Sequence, residues 1–541
     1  MKKKKLSGVI LFVITISILS AILACGPAQQ PVAPELSPVA FSTSAEERRI
    51  EELHARVFKQ LGGYKGPEAC YACHQKEYQE VSFSYHVHQG RITKDGEIAH
   101  DPEDSVDIGM FNRWYALSNT DRVRTPKNQW RLMEAVYCAQ CHPGGGVVKP
   151  FGMDVDCLIC HQQSGYKGGK GIGETPAGLD SEGHIVQSNG ARMAELMMAG
   201  AKAGGDLEKL DLSKIAAKAM EGVELRVGKP TPDNCNFCHW KSDSKRGTHY
   251  GILDGESTDV HFSEGMRCQE CHVTTHHEIG KGKIVDNAGS PHLRGTMKTC
   301  TDCHGEEPHM GDDADELNMH QETIACETCH IPKTSTGTKQ VNWLLGMDMP
   351  KMMKLYKWMM PIAKLMGMAS PEKMTQQMDD MIGCYKTKNL ALFKPTYAWY
   401  NRDKICTEIP HPTGGIDDPD SRITPFNIIE VSFYDDGTTS DIVANPDGHA
   451  LGYPVPRTLV ARAGGKGKRN TTLEEMRRYD NGRYKNAIVR HTPQYFNLYH
   501  SIAPAKDALT CNDCHTAEGG RLDFAQLGYD ADQVEELQIE R

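Results

Sequence analysis

The sequence predicts a mainly α-helical protein with long irregular stretches and little β structure, organised around something other than its own side chains. Three observations lead there. Apolar residues make up 39% of 541 and aromatic residues 7%, which is thin material for a core in a chain of this size. Cysteine and histidine are unusually abundant, at 19 and 24. Sixteen of those cysteines recur in one five-residue pattern, C-x-x-C-H, found eight times. Chance at these Cys and His frequencies would give roughly 0.03 such patterns. The net charge of −10 argues against a nucleic-acid partner, which needs a basic surface.

The N-terminus sets the compartment. Met1–Lys5 is basic, Leu6–Ala24 is a continuous apolar run, and Cys25 follows a small residue. This order reads as an export signal over 1–25, of the kind in which Cys25 becomes the lipidated first residue. An ordinary cleaved signal and an uncleaved anchor are the alternatives, and all three export the chain. Residues 26–45 are rich in Pro, Ala and Ser and read as a flexible tether. The expected location is the bacterial cell envelope, periplasmic or on the outer membrane, held to the membrane by a lipid at Cys25.

The cysteine spacing carries the chemistry. The pairs are Cys70 with Cys73, Cys138 with Cys141, Cys157 with Cys160, Cys235 with Cys238, Cys268 with Cys271, Cys300 with Cys303, Cys326 with Cys329, and Cys511 with Cys514. Two thiols separated by two residues match the two vinyl groups of one haem, and the next residue then lies under the iron. Each pair is followed by a histidine: His74, His142, His161, His239, His272, His304, His330 and His515. Zinc ribbons and disulfides have no need of a histidine at that place. The expected cofactor is therefore haem c, eight groups, covalently attached. Eight apolar discs also account for the thin core, and such a chain should not fold fully without them.

Sixteen histidines remain for the opposite faces of the irons. His86, His249, His261, His276, His277, His292, His309, His320, His491 and His500 lie between or just before the motifs and are candidate distal ligands, with His276 and His277 as alternatives to each other. His54, His100, His184, His411 and His449 fall outside that set. Histidine on both faces makes an iron good at passing electrons and closed to substrate, so an enzyme needs one iron without it. The intervals between motifs imply close neighbours, except for the last, which follows a long gap and must be brought back by the fold.

The segments CAQCHPGGG (138–146), DVDCLICH (154–161), HYGILDG (249–255), LNMH (317–320), KNLALFKPTYAWYN (388–401), SRITPFNI (421–428) and ALTCNDCH (508–515) go beyond haem motifs. On them the sequence resembles the octahaem tetrathionate reductase family of c-type cytochromes. The resemblance implies one mainly helical unit around packed haems, with histidine on both faces of seven irons. It implies that His86, His249, His261, His309, His320 and His500 are distal ligands. It further implies that the haem of Cys138, Cys141 and His142 has a lysine in the distal place and a pocket for tetrathionate, nitrite or hydroxylamine. Lys149 is the nearest lysine after that motif, with Lys167 behind it; a lysine amine is exchangeable and can donate a proton once displaced. Asp154 and Asp156 are candidate proton groups, though a loop aspartate is as well suited to a turn. One departure weighs against sulfur chemistry: the family carries a cysteine shortly before the second motif, and residues 112–137 hold none.

Residues 46–335 thus form a haem-rich region with seven motifs. Residues 336–408 read as a Met-rich helical insert, with 11 Met between Met347 and Met381 and a bend at Pro361. A buried helical hairpin and a membrane-surface or partner-docking pair both fit it. Cys384 and Cys406 could clamp its end as a disulfide or stay inert thiols. Residues 409–541 should wrap the core with loops, turns and short strands such as Ile428–Phe433, and carry the last motif. The functional expectation is an electron-transfer protein acting as an oxyanion reductase, or alternatively a pure conduit. Electrons would come from a redox protein or a membrane quinol oxidase and go to a small oxyanion or another cytochrome.

Overall fold

The computed structural model describes residues 44–82, 84–88, 155–162, 210–221, 225–232, 259–280, 297–344, 385–402, 412–437 and 471–538, with a few isolated residues between. The signal, the tether, the second motif (Cys138, Cys141 and His142), Lys149, Lys167, Asp154, His100, His184, His249, His292, His411, His449, the Met-rich stretch, Cys384 and Cys406 lie outside them.

The helices are short, and six of the fourteen among the described residues sit at a motif. α1 (Ala45–Gln60) is the longest, opened by a capping box in which Ser44 and Glu47 satisfy each other's backbone N–H. α2 (Glu68–Tyr71) leads into the first motif, followed by α3 (Gln75–Ser82) and α4 (Tyr85–His88). α5 (Leu158–His161), α8 (Cys268–Cys271), α9 (Thr301–His304), α11 (Cys326–His330) and α13 (Cys511–Cys514) are themselves motifs. Between and after them lie α6 (Leu212–Ala219), α7 (Val260–Ser263), α10 (Ala314–Met319), α12 (Leu473–Gly482) and α14 (Ala531–Leu537). No helix among the described residues is long and apolar enough to cross a membrane.

β structure among the described residues is confined to two two-residue hairpins, β1–β2 (Gly178–Leu179, Ile185–Val186) and β3–β4 (Thr274–Thr275, Glu278–Ile279), and one five-stranded sheet. The sheet is built on β8 (Ser421–Asp435). β5 (Thr334–Asn342) runs parallel to it at Glu430–Ser432, on the edge opposite β9 (Ile488–Asn497), which pairs antiparallel over the whole of Phe426–Asp435. β6 (Tyr385–Phe393) pairs with β5, and β7 (Thr396–Asn401) with the start of β8. Strands therefore flank the Met-rich stretch, and β8 runs well beyond the short strand expected at Ile428–Phe433. The reason is burial on both faces at its two ends: Ile423, Thr424, Phe426 and Asn427, and then Phe433, Tyr434 and Asp435, are at most 3% exposed, so alternation is confined to the middle, 427–433.

The sheet backs the last two motifs. Ile423 of β8 accepts the N–H of Ala325 (3.0 Å) and the Oγ1–H of Thr328 (2.7 Å), which bracket the start of α11. Trp399 of β7 donates its ring N–H to Leu527 (2.7 Å), and Trp399, Ile423, Leu522, Phe524 and Leu527 pack around Cys514. A second apolar cluster, with Phe58, Leu158, Ile159, Ala216 and Met220, joins α1, α5 and α6 beside Cys70 and Cys160.

Candidate haem centres

Each motif fully within the described residues is a turn of helix, and the turn is what makes it a site. The motif histidine donates its backbone N–H to the first cysteine's carbonyl at Cys70–His74 (2.9 Å), Cys157–His161 (3.1 Å), Cys268–His272 (2.8 Å), Cys300–His304 (2.9 Å) and Cys511–His515 (2.8 Å). Residues i, i+3 and i+4 of a helical turn share one face, so two sulfurs and an imidazole are presented together.

The second cysteine of each pair follows the same turn. Cys73 donates its N–H to the Cys70 carbonyl (3.1 Å) and Cys303 donates to Cys300 (3.2 Å). Cys73 and Cys303 are exposed and Cys238 is half-buried. Apart from Cys514, the motif cysteines among the described residues lie at least partly open to solvent. That departs from the usual burial of an unreacted cysteine, which behaves as a small apolar side chain. Open sulfurs at this spacing fit thioether attachment, in which the haem edge covers what the polypeptide leaves uncovered.

The motif histidines meet partners from elsewhere in the chain. Ring centres lie 6.0 Å apart for His54 and His74, 6.0 Å for His86 and His239, 6.2 Å for His261 and His304, 6.4 Å for His272 and His500, 6.3 Å for His309 and His330, and 6.2 Å for His320 and His515. A metal–imidazole bond of about 2.0 Å, with the ring centre about 1.2 Å beyond the nitrogen, separates two rings on opposite sides of one iron by about 6.4 Å. Each pair joins one motif histidine to one histidine outside the motifs.

Second contacts aim the rings. Nδ1 of His161 lies 3.0 Å from the Gly228 carbonyl, that of His272 2.8 Å from Gly280, and that of His515 2.7 Å from Leu537. On the facing side, Nδ1 of His54 lies 2.9 Å from the Ile50 carbonyl and that of His309 3.0 Å from Asn318 Oδ1. A ring that donates from Nδ1 offers its Nε2 lone pair to a metal, held in one orientation. Around His54, Ile50, Val57 and Leu61 share its helix face and are 36–52% exposed, apolar surface of the kind a porphyrin face covers. The residues fit haem c.

His54 is a residue that sequence reasoning left out. Its one local signal was apolar spacing around it on an amphipathic helix, which any surface helix can show. His491 lies in β9 with Nδ1 2.7 Å from Ser432 Oγ. Asp156 is buried at the start of α5, where its carboxylate accepts the Leu158 N–H (3.2 Å), the work of a turn residue. His276 and His277 occupy the β3–β4 turn with positive φ (52° and 62°), and both hydrogen-bond Glu80, at 2.9 and 3.0 Å. Those bonds, His276 first and then His277, hold the Glu80 carboxyl down to about 2. His277 is within electrostatic reach of His161, whose own proton affinity burial lowers.

The motifs adjoin one another. The Cys70 and Cys157 thiols are hydrogen-bonded to each other, as are those of Cys300 and Cys326. Lys298 donates to the Cys271 carbonyl (3.0 Å) ahead of the sixth motif, and Leu509 donates to the Cys329 carbonyl (3.0 Å) ahead of the eighth. The long gap before the last motif is thus closed by the fold. Between the sixth and seventh motifs, Arg402 reaches both oxygens of Glu327, at 3.0 and 3.1 Å, and stacks on Tyr499. Burial pushes the Asp259 carboxyl up, but hydrogen bonding to His261, the nearby His500 and the Ile502 N–H outweigh it and leave it below the usual range.

The family model "Cytochrome c bacterial" matches residues 372–518, which include the eighth motif. An uncharacterized protein of Archaeoglobus fulgidus is 22% identical over 287 residues, covering 44% of this chain and 84% of its own. The crystal structure of octaheme cytochrome c from Shewanella oneidensis is similar, with TM-score 0.48 and 22% identity, covering 89% of this chain and 95% of that one.

Proposed function

We propose that this chain is an exported c-type cytochrome that holds eight haem c groups, one at each C-x-x-C-H motif, and transfers electrons. The observation that carries the reading is the set of six facing histidine pairs, each at the separation one iron requires. In this reading the paired histidines are the axial ligands, and His277 serves the third motif. His249 would serve a further iron, as the family resemblance implies. Haem c, when bound, supplies a one-electron iron couple. The chain's own residues do the rest. Thioether cysteines fix each group's position, backbone carbonyls fix the tautomer of the imidazoles, and the sheet and apolar clusters exclude water from the inner edges.

The finer proposal is a reductase. Cys138, Cys141 and His142 would hold the open haem, Lys149 would lie on its distal side as a neutral amine, and Asp154 would protonate that amine so that the resulting ammonium can donate to a sulfur or nitrogen oxyanion. Support comes from the resemblance around 138–161. A conduit without a substrate pocket is the second reading, favoured by six motif histidines that each face a second histidine and by the absence of cysteine in 112–137. Donor and acceptor would then both be redox proteins, with the lipid at Cys25 keeping the carrier at the membrane.

Weighing the mature protein tests the first proposal: the mass should exceed that of the polypeptide by eight haems, and a colourless product ends it. The spin state of the irons, with turnover of reduced dye by tetrathionate, nitrite or hydroxylamine, separates the two finer readings. One iron with lysine or water on its distal side, together with turnover, supports the reductase; uniformly bis-histidine irons without turnover leave the conduit.

A further inference from the structure

Asp259 stands just before α7 and is 3% exposed. Its Oδ1 accepts the backbone N–H of His261 (3.0 Å) and Phe262 (3.4 Å) and lies 3.5 Å from His261 Nδ1. Its Oδ2 accepts the N–H of Ser501 (2.9 Å) and Ile502 (3.2 Å). Val260 donates back to the Ile502 carbonyl at 2.8 Å. One buried carboxylate therefore clasps two segments that are 242 residues apart in sequence.

Each segment carries a facing histidine. His261 faces His304 of the sixth motif, and His500 faces His272 of the fifth. Ser501, directly after His500, has φ 76°, a left-handed conformation that disfavours a serine. Its N–H bond to Asp259 helps hold that conformation, and with it the direction in which His500 leaves the chain. The two motifs are themselves neighbours: His272 and Met297 form a β-bridge, and Lys298 is bonded to Cys271 immediately before the sixth motif begins. An N–H cluster of this kind orients a carboxylate as firmly as the carboxylate orients the chain, and groups behind a ligand tune the metal it holds.

We propose that Asp259 is a positioning residue for two centres at once, fixing His261 on the sixth-motif iron and His500 on the fifth-motif iron so that their potentials are set together. The inference rests on the reading that these motifs hold haem c. Removing the carboxylate's negative charge beside both irons should favour their reduced forms and raise both potentials.

The test uses the full-length, haem-loaded protein. Asp259→Asn keeps the shape of the side chain but turns one oxygen into a donor facing N–H groups. Its mass should show the same haem complement as the wild type. In a redox titration followed by electron paramagnetic resonance, two low-spin signals should shift to higher potential and the others stay in place. Asp259→Glu, which restores the carboxylate on a longer arm, should return both signals toward the wild type. An unchanged titration, a shift of one signal alone, an equal shift of all, or a Glu variant no closer to wild type than Asn overturns the proposal. So does failure of both variants to keep haem at the remaining motifs, because the role argued is local. A wild-type protein without haem would instead sink the underlying reading.

Discussion

At the scale of single residues, the telling contrast is between His54 and His491. Both are histidines outside the motifs. Both have an Nδ1 partner, the Ile50 carbonyl for His54 and Ser432 for His491, so what separates them is that the His54 ring stands 6.0 Å from that of His74 whereas His491 sits within the sheet. Replacing His54 by Ala should therefore convert one low-spin iron to a form that binds added imidazole, with no loss of haem, whereas His491→Ala should leave every signal unchanged. Electron paramagnetic resonance of the two variants checks this; an unaltered spectrum for His54→Ala removes that residue from the ligand set. The cysteine pairs and the motif histidines were legible in sequence because their spacing is local and a single turn of helix suffices to assemble them. The openness of Cys73 and Cys303 was not, since exposure is set by what the rest of the chain leaves uncovered. Most facing partners could only be narrowed to a list, because nothing within a few residues of His86, His309 or His500 encodes which motif each will meet. Placing Lys149 and Asp154 at the second-motif iron remains a proposal drawn from the family resemblance.

At the scale of elements, short pieces are held by side-chain clasps. Glu47 caps α1 and also binds Arg267, at 2.9 and 3.3 Å, immediately before the fifth motif. Replacing it by Ala should cost about 1 kcal/mol from the lost cap. The Ser44 N–H, and then Arg267 against the opposing effect of burial, hold the Glu47 carboxyl below its ordinary value of 4.5. A carboxyl lowered in the folded state contributes stability above that ordinary value and loses it as pH falls below. Glu47→Gln should thus matter at neutral pH and stop mattering in acid, which thermal melts at several pH values will read. In the sheet, Arg490 of β9 donates to Asp435 of β8 at 2.6 Å, and Asp435 is fully buried. Arg490→Ala strands that carboxylate and should cost about 3 kcal/mol, seen as a lower melting midpoint. The helical turns at the motifs followed from the sequence. The full length of β8 did not, because its two ends are buried on both faces and lack the alternation by which strands are read.

At the scale of the whole molecule, the histidine pairs fall into two classes. Four have ring planes within 14–20° of parallel, while His86–His239 and His261–His304 cross at 76° and 60°. Relative ring orientation controls how the iron d orbitals split, so the haem-loaded protein should give two kinds of low-spin resonance, with the strongly anisotropic kind coming from the two crossed pairs. His86→Ala should delete one of those and none of the near-parallel set; loss from the wrong class would contradict the pairing. The same pairs bind distant parts of the chain into one object, and His320 with His515 or Asp259 with Ser501 are held only when the fold is complete. The amino-acid sequence alone determined the cofactor class, the number of attachment motifs and the scarcity of ordinary core, since all three depend on residue type and near-neighbour spacing. Tertiary structure alone decided which histidine faces which motif and which motifs adjoin, because those choices are made by contacts between residues 20 to 228 positions apart, beyond the reach of any local pattern.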